Sequence, residues 1–149
     1  MTPIRNETCL ELSFPATELE ASAGIAQLSA GLSQQGLPDH MADDVKIALA
    51  EAINNVVEHA YEGIAPAKVQ VTCRLERDRL DILISDTGNP MPGYQLPDGT
   101  PASVETDLQD LPEGGFGWFL INQLTSDICY ERHQGCNRLS LRFDFERQP

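Results

Sequence analysis

The sequence predicts an α+β fold: a two-layer sandwich with helices on one face of a mixed, mostly antiparallel five-stranded sheet. Three observations carry that expectation. Several short segments alternate apolar and polar residues with the period of a strand. Longer segments repeat apolar residues with the period of a helix. Their order is strand, two helices, two strands, a long loop, a helix and two strands, which lets consecutive strands pair as hairpins.

Leu10, Leu12 and Phe14 alternate with Cys9, Glu11 and Ser13, a strand with one buried face that Pro15 ends. The Ala- and Leu-rich stretch from Thr17 to about Ser33 reads as a helix, with Thr17 or Ala16 near its N-cap and Gly36 near its end. Pro38 and Asp39 start a second helix that runs to about Glu62. Its apolar stripe is Val45, Leu49, Ile53, Val56 and Ala60, with Glu51, Asn55, Glu58 and Glu62 on the other side. Gly63 closes it as a C′ glycine. Val69, Val71, Cys73 and Leu75 then alternate with polar residues, and a tight turn at Arg77-Asp78 leads into Leu80, Ile82 and Ile84. Between Gly88 and Gly115 stand Pro90, Pro92, Pro97, Pro101 and Pro112, which predicts a long loop of the functional or lid-like kind. Phe116 to Leu124 reads as a helix and Ile128 to Glu131 as a strand. After a turn at Gly135 the last strand carries Leu139, Leu141, Phe143 and Phe145 on one side.

A chain of 149 residues suits one domain with a real core, and neither a repeat nor a linker divides residues 1–149. The formal net charge of −13 argues against nucleic acid or an anionic membrane as a partner. It leaves room for a nucleotide, whose phosphates can be met locally by a cation and by helix N-termini. No apolar run follows Arg5, so no signal peptide is expected, and no stretch nears the roughly 20 residues of a membrane span. Cys9, Cys73, Cys129 and Cys136 form no CxxC pair. They read as reduced thiols of a cytoplasmic protein, Cys73 being core filler.

Three constellations carry chemistry. Glu51 and Asn55 stand one turn apart on one helix face. A carboxylate beside a carboxamide suits a hydrated Mg²⁺ ion, and the Glu could also orient or deprotonate a hydroxyl or a water. The plainer alternative is the solvated face of an amphipathic helix, although Asn54-Asn55 in mid-helix is a local cost. Asp86 falls in phase with Leu80, Ile82 and Ile84, so it faces the core and needs a donor such as the exocyclic amine of adenine. Its alternative is a strand-end Asp capping the turn at Gly88. Gly114-Gly115-Phe116-Gly117 opens an apolar helix and offers a phosphate free N–H groups and a positive dipole end. The alternative there is a hinge. His59, one turn beyond Asn55, reads as a packing or capping residue.

In sequence, E-A-I-N-N-V-V-E-H-A-Y, D-T-G-N-P and G-G-F-G-W-F-L-I resemble the three motifs of the GHKL ATPase superfamily, over roughly Asp43 to Phe145. The chain is most similar to the small stand-alone bacterial anti-sigma-factor serine/threonine kinases. That resemblance implies a Bergerat ATP-binding fold with an ATP lid at about 88–115. It implies Glu51 as general base and Asn55 as Mg²⁺ ligand. Asp86 would bind the adenine amine with Gly88 turning beneath the base, and Gly115 and Gly117 would hold the phosphates. Asn54 and Phe116 fall with the nucleotide-binding residues by the same resemblance. One departure stands out: Gly114 occupies a place where many relatives carry a basic residue, and no Lys or Arg lies between Gly88 and Phe116.

The function so implied is that of an anti-sigma-factor-type kinase. It would use Mg-ATP to phosphorylate a STAS-type anti-sigma-factor antagonist, would act as a homodimer and would also hold a sigma factor. The alternative is a nucleotide-gated binding module with little or no phosphotransfer, which the lid without basic residues favours. A structural α+β domain with no nucleotide would need three coincidences in the right order.

Overall fold

The computed structural model describes residues 8–96 and 115–146. Five strands form one sheet in the order β1-β2-β3-β5-β4: β1 (Thr8–Pro15), β2 (Lys68–Leu75), β3 (Arg79–Asp86), β4 (Asp127–His133) and β5 (Cys136–Asp144). The sheet expected as mostly antiparallel is antiparallel at all four of its pairings. Helices α1 (Glu18–Gln34), α2 (Asp39–Asn55) and α3 (Gly115–Leu124) form the second layer, α2 packing against both others and α1 also on β1. Most of the central lid, residues 97–114, lies outside the described residues.

The period-two pattern explains the sheet. Val69, Val71, Cys73 and Leu75 of β2, Leu80, Ile82 and Ile84 of β3 and Leu139, Leu141 and Phe143 of β5 all point into the helical layer and are buried. Burial pushes the Cys73 thiol up to about 12, which leaves it protonated and inert. The opposite face is polar. There Arg74, Asp81, Arg142 and Asp127 occupy facing positions on four strands, and Arg142 Nε donates to Asp81 Oδ1 at 3.2 Å. A cavity of ≈ 380 Å³ lies on this face, bordered by Arg74, Asp81, Glu131 and Arg138, on the side of the sheet away from the helices.

Turn chemistry sets the register. In the β2–β3 hairpin Glu76 N donates to Arg79 O at 2.8 Å, which makes Arg77-Asp78 the two-residue loop. In the β4–β5 hairpin Gln134 and Gly135 take φ of 50° and 79°, the left-handed pair of a type I′ turn. Helix α1 starts at Thr17, whose Oγ1 accepts from Glu20 N at 3.3 Å. It stops in a Schellman motif: Leu37 N donates to Leu32 O at 2.9 Å and Gly36 N to Ser33 O at 3.2 Å.

One element departs from expectation. The second helix is not α-helical to Glu62. It is regular through Asn55 and continues as a π turn, Val56–Ala60, before Gly63 (φ 77°) ends it. Such wide turns in α-helices occur frequently where a site is built.

Candidate functional site

The site forms where three segments meet: the end of α2 with its π turn, the loop after β3, and the N-terminus of α3. Apolar Val45, Leu49, Ile53 and Val56 anchor α2 in the core, and this turns Glu51 and Asn55, both half-buried, toward α3. Gly117 is where α3 touches them. A Cβ at Gly117 would lie 2.6 Å from Glu51 Oε2 and 3.8 Å from Asn55 Nδ2. Only a residue without a side chain lets the first turn of α3 come this close to the carboxylate. Gly115 and Phe116 are the first two residues of α3. The free N–H groups expected of such a helix start therefore lie beside an acidic side chain.

Asn55 Nδ2 donates to the Glu51 carbonyl oxygen at 2.9 Å. That bond fixes the amide and leaves Oδ1 as its available acceptor. One carboxylate and one carboxamide oxygen side by side form a donor set that fits a hard cation keeping most of its own waters. Asn54 is exposed and does not join this cluster. His59 is exposed as well, with Nε2 at 3.7 Å from Glu58 Oε2.

Asp86 closes β3 at 6% exposure. Its Oδ1 accepts from Gly88 N at 2.9 Å and from Asn137 Nδ2 at 2.8 Å. The carboxylate is buried as its strand parity requires, and one oxygen caps the turn; among the described residues neither bond uses Oδ2. Burial pushes the carboxyl above its ordinary value, while the Asn137 bond, the Gly88 N–H and the charge of Arg132 pull it back. Gly88 is pressed against the π turn, where a Cβ would collide with the carbonyl group of Ala60. Asn89 N donates to that same Ala60 oxygen at 2.5 Å. Glu51 and Asn55 on one side and the loop after β3 on the other are therefore fixed to one helix. Asn55 and Ala60, five residues apart, are separated by about 7 Å along its axis.

Several residues besides the predicted ones hold the site. Tyr61 is buried, and its hydroxyl donates to Lys68 O and accepts from Thr87 N, both at 3.1 Å, tying the end of the π turn to the loop after β3. Asn89 Nδ2 donates to Glu62 O at 2.8 Å. Asn137, 5% exposed and paired in register with Asp86, is bonded in turn by Tyr130 and Arg132 of β4. Strand parity could have found it, because Asn137 is in phase with Leu139, Leu141 and Phe143.

A family model described as a histidine kinase-like ATPase domain matches residues 14–143. A serine-protein kinase RsbW of Bacillus cereus is 31% identical over 136 residues, 90% of this chain and 84% of the relative. A protein of the same name from Oceanobacillus iheyensis is 29% identical over 131 residues, 87% of this chain and 83% of the relative. Among solved structures, the RsbU and RsbW domains of a Mycobacterium tuberculosis protein superpose with a TM-score of 0.67 at 19% identity. That match covers 95% of this chain and 33% of the longer one. The SiaB–SiaC complex of Pseudomonas aeruginosa gives 0.53 at 16% identity, covering 90% of this chain and 88% of the other.

Proposed function

This chain belongs to the histidine kinase-like ATPase domain family, and from that premise we propose that it is an ATP-dependent serine/threonine protein kinase of the anti-sigma-factor type. Its substrate would be a STAS-type anti-sigma-factor antagonist in a partner-switching pathway. The same reading has the protein act in the cytoplasm as a homodimer that also holds a sigma factor. The observation that carries it is the close approach of Gly117 to Glu51, which puts a helix N-terminus, a carboxylate and the Asn55 amide in one place.

Bound ATP supplies the transferable γ-phosphoryl group, with Mg²⁺ neutralising its charge. The residues of this chain position and deprotonate. Glu51 takes the proton of the incoming serine hydroxyl on a carboxylate oxygen as that hydroxyl becomes the phosphoester. Asn55 offers Oδ1 to the cation's hydration shell. The N–H groups opening α3, at Gly115, Phe116 and Gly117, hold phosphate oxygens. Asp86 accepts from the exocyclic amine of the base over the Gly88 turn. Asn54, exposed on α2, belongs to the family motif rather than to this inner cluster.

The test is transfer of phosphate from Mg-ATP to a purified STAS antagonist. Wild type is expected to yield phosphoserine or phosphothreonine. Glu51→Ala is expected to abolish transfer, by about 10²-fold or more, while leaving complex formation with the antagonist intact. Phosphorylation that survives in Glu51→Ala would remove Glu51 as base. Nucleotide-dependent partner binding without transfer in the wild type would favour the gated binding module, the reading that the absence of Lys and Arg between Gly88 and Phe116 supports.

A further inference from the structure

We propose that Asn137, clamped by Tyr130 and Arg132, is the positioning residue that makes this pocket select a 6-amino purine over a 6-oxo purine. The inference rests on the nucleotide reading above and assigns its base specificity to residues outside the three motifs.

The hydrogen-bond directions leave one arrangement. Met91 N donates to the Tyr130 hydroxyl at 3.0 Å, which uses one lone pair of Tyr130 and leaves its proton to be given onward. Tyr130 gives it to Asn137 Oδ1 at 2.5 Å. Arg132 Nη1 donates to the same Oδ1 at 3.0 Å and to Gly88 O at 2.6 Å. Both lone pairs of the Asn137 carbonyl are then used, and the guanidinium, which cannot accept, fixes which end of the amide faces β4. The amide nitrogen is forced to the other side, where it donates to Asp86 Oδ1 and to Asn89 O, each at 2.8 Å. A flipped amide would set N–H against guanidinium and carbonyl against carboxylate. Asn137 is thus fully satisfied and immobile at 5% exposure.

The consequence falls on Asp86. One of its oxygens is committed to Asn137 and Gly88, and the carboxylate is held as a pure acceptor against the pull of burial toward protonation. Asn137 is the largest of the influences opposing that pull. An ionised carboxylate accepts from a 6-amino group and repels a 6-oxo group. A protonated or reoriented carboxyl can donate to a 6-oxo group and loses the distinction. The Arg132 bond to Gly88 O also holds the turn under the base to the same clamp.

The experiment compares binding of Mg-ATP and Mg-ITP, which differ at the 6-position, to wild type, Asn137→Leu, Arg132→Met and Arg132→Lys. Wild type is expected to prefer ATP. Asn137→Leu and Arg132→Met are expected to narrow the ATP/ITP ratio by about tenfold, as befits loss of a bond to a charged group, with Arg132→Lys retaining most of it. Arg132 is half-buried on an edge strand, so Arg132→Met carries the test if Asn137→Leu fails to fold. Equal weakening of both nucleotides with an unchanged ratio would make Asn137 a merely structural residue and overturn the proposal, with the nucleotide site intact. Wild type binding ATP and ITP alike would overturn it too. Wild type binding neither would remove the nucleotide reading itself, and this inference with it.

Discussion

Asp86 is unfavourable for folding at the place where the proposed function needs a buried acceptor. Its carboxyl sits above its ordinary value chiefly because it is buried. The folded protein therefore binds this proton more tightly than the unfolded chain does. Stability from this group is present in acid and is lost as pH rises from its ordinary value through the raised one. Asp86→Asn keeps an oxygen for Gly88 N and Asn137 Nδ2 but carries no charge. The variant is expected to melt at or above the wild-type Tm at pH 7, and thermal scans should show the gap closing as pH falls toward the ordinary carboxylate range. Gly88 gives the opposite case. Gly88→Ala would drive a Cβ into the Ala60 carbonyl group, whose carbon would lie 2.6 Å away, and backbone there cannot swing aside. A loss of about 1–3 kcal/mol in urea unfolding is expected, together with weaker nucleotide binding. At this scale parity made Asp86 legible from sequence, because an acid in phase with Leu80, Ile82 and Ile84 has to face the core. Asn137 was equally legible in principle but belongs to no motif. The Tyr130–Arg132 clamp was not, since it depends on how two side chains of β4 reach one amide of β5.

The elements repeat the lesson with packing. Helices and hairpins follow from periodicity and turn residues, and their ends lie close to where Thr17, Gly36, Arg77-Asp78 and Gly135 place them. The π turn at Val56–Ala60 does not follow, because nothing local distinguishes it from one more α turn; its last carbonyl accepts from Asn89 N of the loop after β3. The seating of α1 on β1 was not visible either. Gly24 and Gly31, two turns apart, let the helix rest on Phe14 and Leu10. A Cβ at Gly24 would lie 2.9 Å from two atoms of the Phe14 ring, and that ring is itself in the core at 5% exposure. In an exposed helix Gly→Ala would stabilise by about 1 kcal/mol. Here overpacking of about 1–3 kcal/mol outweighs it, so Gly24→Ala is expected to lower the urea midpoint with an unchanged m-value. A raised midpoint would mean that α1 is not seated as described.

For the whole molecule, the layered architecture divides the labour. The helical face of the sheet carries the core and one end of it the site. The opposite face is a ladder of paired charges, with Arg142 on Asp81 and Arg138 Nε 3.8 Å from Glu131 Oε1. Among the described residues no helix is long and apolar enough to cross a membrane. With a net charge of −13 and no Lys or Arg between Gly88 and Phe116, nucleotide binding is expected to depend on added Mg²⁺ and on the first turn of α3. Everything proposed for this chain depends on Asp86 being the group that recognises the base. The measurement that tests this most directly is the thermal shift produced by saturating Mg-ATP on wild type and on Asp86→Asn, both shown to be folded. Recognition of the base by Asp86 requires a clear rise in Tm for the wild type, of the kind that about 2.7 kcal/mol of linkage gives at a ligand concentration 100-fold above Kd, and none for the variant. An equal rise in both proteins would contradict it.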